Sequence, residues 1–147
     1  MRLHPIRSID ASRLAAWLPD VAAQAGSTAW ADPDALTRSL HDPQVLTDDE
    51  ATAFLAFELT SPVPSAARVD FLAISPQRRR LGIGGRAALA LERRLRGKAK
   101  SVYTLVPASI GLALYFWLRL GYQPLTRADW PATAKNRSPS VWMRREF

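Results

Sequence analysis

The chain has 147 residues, 48% of them apolar and 22% charged, the size and mixture of one globular domain with its own core. It contains no cysteine and only two histidines, His4 and His41, far apart and not in metal-ligand spacing; this excludes a disulfide framework, a thiol nucleophile and a cysteine-based zinc site, and no metal is expected. The net charge of +7 favours an anionic partner (nucleic acid, a phosphorylated cofactor or an anionic membrane), although arginine and alanine codons are GC-rich, so a genomic origin for part of the bias is an alternative.

Residues 2–7, RLHPIR, read as a short first strand, with Pro5 marking an edge. The N-terminal stretch has no apolar segment of the signal-peptide kind. Asp10 or Ser12 can cap a helix carrying Leu14, Ala15, Trp17, Leu18 and Val21. A second helix is expected from Pro33 to about Leu40, with Asp32 as its N-cap and Pro43 blocking continuation. Residues 45–46 suit a short strand and residues 48–50 a turn. TAFLAFELT (52–60) and ARVDFLAIS (67–75) read as two long strands separated by the proline-broken turn SPVPS. A helix follows from about Gly84 to Arg96, with Ile83, Ala87, Ala90, Leu91 and Leu95 near one face and Gly97 placed as a C-cap. SVYTLV (101–106) is a strand, 109–120 an apolar helix closed by Gly121, and 122–125 and 140–147 are two last strands. The apolar run 110–118 falls far short of the ~20 residues of a membrane span. A soluble, cytoplasmic protein is expected, and no membrane partner. This order of strands and helices suggests an α/β or α+β sandwich around one central sheet.

The stretch QRRRLGIGG (77–85) sets three arginines against a glycine cluster just before a helix. One reading is a solvated basic turn. The other is an anion cradle. A helix's first turn has N–H groups without partners and a partial positive charge, glycines admit an anion to the backbone, and arginines add forked donors. Arg79, Arg80, Gly82, Gly84 and Gly85 are the candidates. A Walker loop is set aside, because Gly84–Gly85–Arg86 replaces Gly-Lys-Ser/Thr. The dinucleotide pattern is formally met by Gly82, Gly84 and Ala87. However, SPQRRRL separates the glycines from the strand, SVYTLV carries no carboxylate, and about 60 residues remain, too few for that fold.

The segment from Ile74 to Gly84, with Ser75–Pro76–Gln77 and then Arg79-x-x-Gly82-x-Gly84, resembles the acyl-CoA loop of the GNAT acetyltransferase superfamily. Downstream, Ala113, Phe116, Trp117, Gly121 and Tyr122 stand in the spacing of that family's next helix and its closing Gly-aromatic pair. The resemblance runs over essentially the whole chain. It implies a GNAT-like α/β fold across residues 1–147, a single domain with a mixed central sheet of about six to seven strands flanked by about four helices.

The resemblance further implies acetyl-CoA as co-substrate. The backbone of Leu72, Ala73 and Ile74 would receive the pantetheine arm, and Arg79, Arg80, Leu81, Gly82, Ile83, Gly84, Gly85 and Arg86 the pyrophosphate. The acetyl group would pass directly to an amine of a small molecule or a protein, with a carboxylate taking the proton. Asp70 is the first candidate base and Glu58, on the preceding strand, the second; either is also a structural carboxylate if Arg68 pairs with it. The chain departs from the family at two points. Trp117 stands where many members have a tyrosine that protonates the departing thiolate, and an indole N–H is no acid. Ile110 replaces a common asparagine. Tyr115, about 200° round the helix from Trp117, reads as a packing residue. A non-catalytic acyl-CoA-binding or sensing domain is the alternative. No nucleic-acid-binding module is recognisable, so nucleic acid is not an expected partner. The resemblance places the acceptor pocket at residues 17–33 and 126–139, including Trp17, Trp30, Asp129 and Trp130, although ordinary packing is the better reading of these aromatics. The family admits a homodimer, which the sequence does not decide.

Overall fold

The computed structural model describes residues 1–108, 111–131 and 140–147. Its strands are β1 (Leu3–Pro5), β2 (Val45–Asp48), β3 (Ala53–Leu59), β4 (Ala66–Ile74), β5 (Ser101–Pro107), β6 (Gln123–Pro124) and β7 (Ser140–Glu146). The helices are α1 (Ser8–Ala15), α2 (Leu18–Gln24), α3 (Thr28–Ala31), α4 (Ala35–Arg38), α5 (Ile83–Leu95) and α6 (Gly111–Arg119). The seven strands form one sheet in the order β1-β2-β3-β4-β5-β7-β6. β4 and β5 run parallel, from Ala66 opposite Ser101 to Val69 opposite Thr104, whereas β1–β2, β2–β3, β5–β7 and β6–β7 pair antiparallel. The mixed α/β sheet therefore has the expected number of strands, and Pro5 does lie in an edge strand.

The helices depart from expectation at the N-terminal end. The predicted first helix is two. Pro19 sits in the first turn of α2, where its missing N–H costs nothing; within a continuous helix it would remove a bond and clash with the turn before. The cap of α1 is Arg7, not Asp10 or Ser12. Asp10 lies three residues into the helix, and its buried carboxylate accepts hydrogen bonds from the Arg7 backbone N–H and Nε, both at 2.9 Å. The helix expected from Pro33 shortens to Ala35–Arg38, and α3 was not foreseen.

The chain divides into two compact units, one of Met1–Ala56 with Phe71–Leu91, the other of Phe57–Asp70 with Glu92–Phe147. The first has a core of Ile6, Leu14, Leu18, Leu36, Val45, Ala51, Phe54, Ala56 and Ala73, with Trp30 edge-on to Phe54 at 4.6 Å. Asp48 ties its β2–β3 turn. Its carboxylate accepts from the backbone N–H groups of Thr52 (2.8 Å) and Ala53 (2.9 Å) and from the Thr52 hydroxyl (2.6 Å). The second unit packs Ala66, Tyr103 and Trp142 with Val63, Leu125 and Trp130, beneath a β5–β7 ladder that runs from Ser101 opposite Glu146 to Pro107 opposite Ser140. Among the described residues no helix is long and apolar enough to cross a membrane, and no group of three or more potential ligands is placed to hold a metal.

Candidate functional site

β4 leads into the arginine-glycine loop with alternating faces. Val69 and Ala73 are buried, while Arg68, Asp70, Leu72 and Ile74, on the other face, all keep some exposure. After Ile74 the buried Ser75 fixes the turn, its N–H donating to the Thr52 carbonyl at 2.8 Å. Pro76–Arg78 form one turn of 3₁₀ helix. Arg78 makes a loose pair with Glu50 at 3.6 Å, both largely exposed.

Beyond that turn the backbone takes a shape few residues accept. Arg80 has φ of 65°, left-handed for a residue with a Cβ, and Gly82 has φ of 74°. A Cβ at Gly82 would meet nothing within 4 Å, so glycine is needed there for its dihedral and not to avoid a neighbour. The Gly82 carbonyl accepts the first bond of α5, from the Arg86 N–H at 3.1 Å. The N–H groups of Ile83, Gly84 and Gly85 therefore belong to the first helical turn, which has no intrahelical acceptor for them. Ile83, Ala87, Ala88, Ala90 and Leu91 are buried and hold that turn in place, while Leu81 is 59% exposed. Arg79, Arg80 and Arg86 are exposed. Arg86 reaches only the Leu81 carbonyl, at 3.5 Å, and among the described residues Arg79 and Arg80 have no ion-pair partner. Unpaired guanidinium groups beside N–H groups without an intrahelical acceptor have the chemistry that suits a multiply charged anion.

The two candidate carboxylates share one cation. Arg68 Nε lies 2.6 Å from Asp70 Oδ1, and Arg68 Nη2 lies 2.8 Å from Glu58 Oε2. Both carboxylates remain open to water, Asp70 at 33% and Glu58 at 51% side-chain exposure. Burial pushes the Asp70 carboxyl above its usual value; the Arg68 bond and charge pull it down, and the Glu58 charge pushes it up again. The net direction is upward.

Trp117 is buried, with its ring edge-on to Phe116 (5.0 Å between centroids) and Tyr122 (4.8 Å). These are the contacts of a core residue. Tyr115 does lie on another face of α6, but it is 58% exposed, with Arg119 5.6 Å from its ring, and is not the packing residue the sequence suggested. Ile110 lies outside the described residues, as do residues 132–139 of the expected acceptor segment. The aromatics expected to line the acceptor are tied locally: Trp17 Nε1 donates to the Ala51 carbonyl at 3.1 Å, Trp30 packs edge-on to Phe54, and Trp130 Nε1 donates to the Leu125 carbonyl at 3.0 Å.

One arrangement escaped the sequence reading. Glu92 in α5 is 2% exposed, and its carboxylate accepts from the Tyr122 hydroxyl at 3.1 Å and lies 3.0 Å from Arg145 Nη1, which also donates to the Leu120 carbonyl at 2.6 Å. The signal was a carboxylate four residues from Ala88 and three from Leu95, on a face otherwise committed to burial.

No protein-family model matches the chain, and no curated protein matches it by sequence. Solved structures do. An acetyltransferase from Thermus thermophilus superposes with a TM-score of 0.71 at 21% identity, covering 99% of this chain and 96% of that one. An acetyltransferase of the GNAT family from Staphylococcus aureus gives 0.70 at 11% identity, with 99% and 98% covered. Arabidopsis thaliana NAA60, solved in complex with acetyl-CoA, gives 0.69 at 12% identity, with 99% of both chains covered.

Proposed function

We propose that this chain, which has the GNAT fold, is an acetyl-CoA-dependent N-acetyltransferase that passes an acetyl group directly to an amine. The observation that carries the reading is the loop of residues 79–86. It sets two exposed, unpaired arginines and two left-handed residues immediately before the first turn of α5, in a fold whose solved neighbours are acetyltransferases. A CoA pyrophosphate has the charge and the oxygen count that loop can use. Leu72, Ala73 and Ile74 would give the pantetheine arm its backbone partners. Asp70, on the same strand face as Leu72 and Ile74, would accept the amine's proton directly or through water, with Glu58 the second carboxylate on Arg68.

The burial of Trp117 favours a second reading. With a packed indole where the resemblance leads one to look for a proton donor, the chain would bind acyl-CoA without turning it over. Under the first reading, water protonates the thiolate or the thiolate leaves unassisted.

Thermal denaturation with acetyl-CoA tests the binding step. At about 100 times the dissociation constant the ligand should raise Tm by roughly 5–10 °C. Arg79→Ala and Arg80→Ala should each weaken binding about tenfold or more, since each removes a charge-assisted contact. Incubation with labelled acetyl-CoA and a panel of amines then separates transfer from binding alone. Absence of a shift with acetyl-CoA and with CoA overturns both readings.

A further inference from the structure

The chain's positive charge is not spread over it. Residues 77–100 hold nine of the 20 lysines and arginines and one of the 13 acidic residues, a net +8, which leaves −1 for the rest of the sequence. A genomic taste for arginine would distribute the residue evenly, so this concentration needs a physical reason. The loop before α5 accounts for Arg78, Arg79, Arg80 and Arg86. It does not account for Arg93, Arg94, Arg96, Lys98 and Lys100, five cations in eight residues at the other end of a 13-residue helix, about 20 Å along its axis.

All five are exposed. The carboxylate nearest in sequence, Glu92, is buried and neutralised by Arg145. Among the described residues none of Arg93, Arg96, Lys98 and Lys100 has an ion pair. The segment that carries them is held in place. Gly97 turns the chain at φ of 86°, the N–H groups of Lys98 and Ala99 close on the Leu95 carbonyl at 2.9 and 3.0 Å, and the Lys100 N–H donates to the Ser65 carbonyl at 2.7 Å. The Phe147 N–H donates to the Lys100 carbonyl at 2.9 Å, which sets an aromatic ring, 41% exposed, under the Arg96 guanidinium at 5.3 Å. Two or three cations at a helix C-terminus would be explained by the dipole alone. Four without an ion pair, Arg93, Arg96, Lys98 and Lys100, continuing past the turn and flanked by a partly exposed aromatic ring, exceed that need.

We propose that residues 93–100 with Phe147 form a contact for single-stranded nucleic acid, the cations taking successive phosphates and the Phe147 ring stacking on a base. The aromatic face decides against a purely electrostatic membrane contact. So does α5, which buries Ala87, Ala90, Leu91 and Leu95 and leaves Leu89 alone among its larger apolar residues exposed, at 39%, not a continuous apolar face to insert.

Fluorescence anisotropy with a labelled 20-nucleotide single-stranded RNA tests this on the full chain. Four phosphate contacts, from Arg93, Arg96, Lys98 and Lys100, give a slope of log affinity against log salt near −2.8, so binding should weaken about 50-fold between 50 and 200 mM salt. The variant Arg93→Ala, Arg96→Ala, Lys98→Ala, Lys100→Ala should flatten that slope toward zero and weaken binding at 50 mM at least 100-fold. It should keep the full acetyl-CoA-induced rise in Tm, which shows that it is folded. Phe147→Ala should weaken binding about tenfold and leave the slope alone. Absence of RNA binding at 50 mM salt overturns the proposal. So does loss of RNA binding in Arg79→Ala, Arg80→Ala with the fourfold variant unaffected, which would place the contact in the loop. Cluster-dependent binding to phosphatidylserine vesicles without binding to RNA also overturns it and assigns the patch to a membrane surface.

Discussion

Arg68 decides what Asp70 can do. A guanidinium 2.6 Å from Asp70 and 2.8 Å from Glu58 would ordinarily hold the Asp70 carboxyl well ionised. At Asp70 that pull is exceeded by burial, assisted by the Glu58 charge, and the carboxyl sits above its usual value. A general base must be unprotonated to act, so if Asp70 is the base proposed above, transfer should rise with pH through a value higher than that of an ordinary aspartate. Arg68→Ala removes the bond and the charge that lower the Asp70 pKa and leaves the two influences that raise it. The acidic limb of the rate–pH profile should therefore move to higher pH. Asp70→Asn should lower kcat about 100-fold or more across the profile. An acidic limb unmoved by Arg68→Ala, together with an unchanged rate in Asp70→Asn, would make the trio a surface ion-pair cluster, worth ~1 kcal/mol of stability at most.

The junction of β4, loop and α5 stores its conformational cost in two residues. Gly82→Ala forces a Cβ into φ of 74° with open space around it, so the whole penalty is torsional, about 1–2 kcal/mol. Arg80→Gly does the reverse. It relieves a left-handed arginine, φ 65°, and should leave stability unchanged or raise it slightly, while acetyl-CoA binding falls by about tenfold. Urea unfolding and ligand titration on the two variants separate strain from charge. Stability and affinity moving together in Arg80→Gly would deny that the guanidinium acts on the ligand. That junction was legible in the sequence because its signals are local: a strand ended by Pro76, arginines, a spaced glycine, then a 3.6-residue apolar period. The N-terminal helices were less so, because two signals competed there. The apolar period ran through Leu14, Trp17, Leu18 and Val21, but Pro19 broke it. Asp10 has the chemistry of a cap, yet it acts from the third helical position back onto Arg7. Propensity names a residue type; only the geometry tells which turn it serves.

At the scale of the whole chain, identities of 11–21% suffice for the same fold over nearly every residue. What persists at that distance is the pattern of strands, helices and turns. In this chain the link among Glu92, Tyr122 and Arg145 helps to secure it. It joins residues 53 apart in sequence, a distance across which no periodicity speaks. Burial, with Glu92's charge and hydrogen bond adding to it, pushes the Tyr122 phenol far above its ordinary range, so the hydroxyl stays protonated and donates at any working pH. Arg145 then carries the compensation. Arg145→Ala leaves a carboxylate 2% exposed without its cation and should cost about 3 kcal/mol in urea unfolding. Tyr122→Phe removes one hydrogen bond to a charged acceptor, about 1–2 kcal/mol. Glu92→Gln in the Arg145→Ala background should recover much of the loss, because it deletes the uncompensated charge while keeping an acceptor for Tyr122. Losses that simply add in the double variant would mean that Arg145 acts through its 2.6 Å bond to the Leu120 carbonyl, at the end of α6, and not through Glu92.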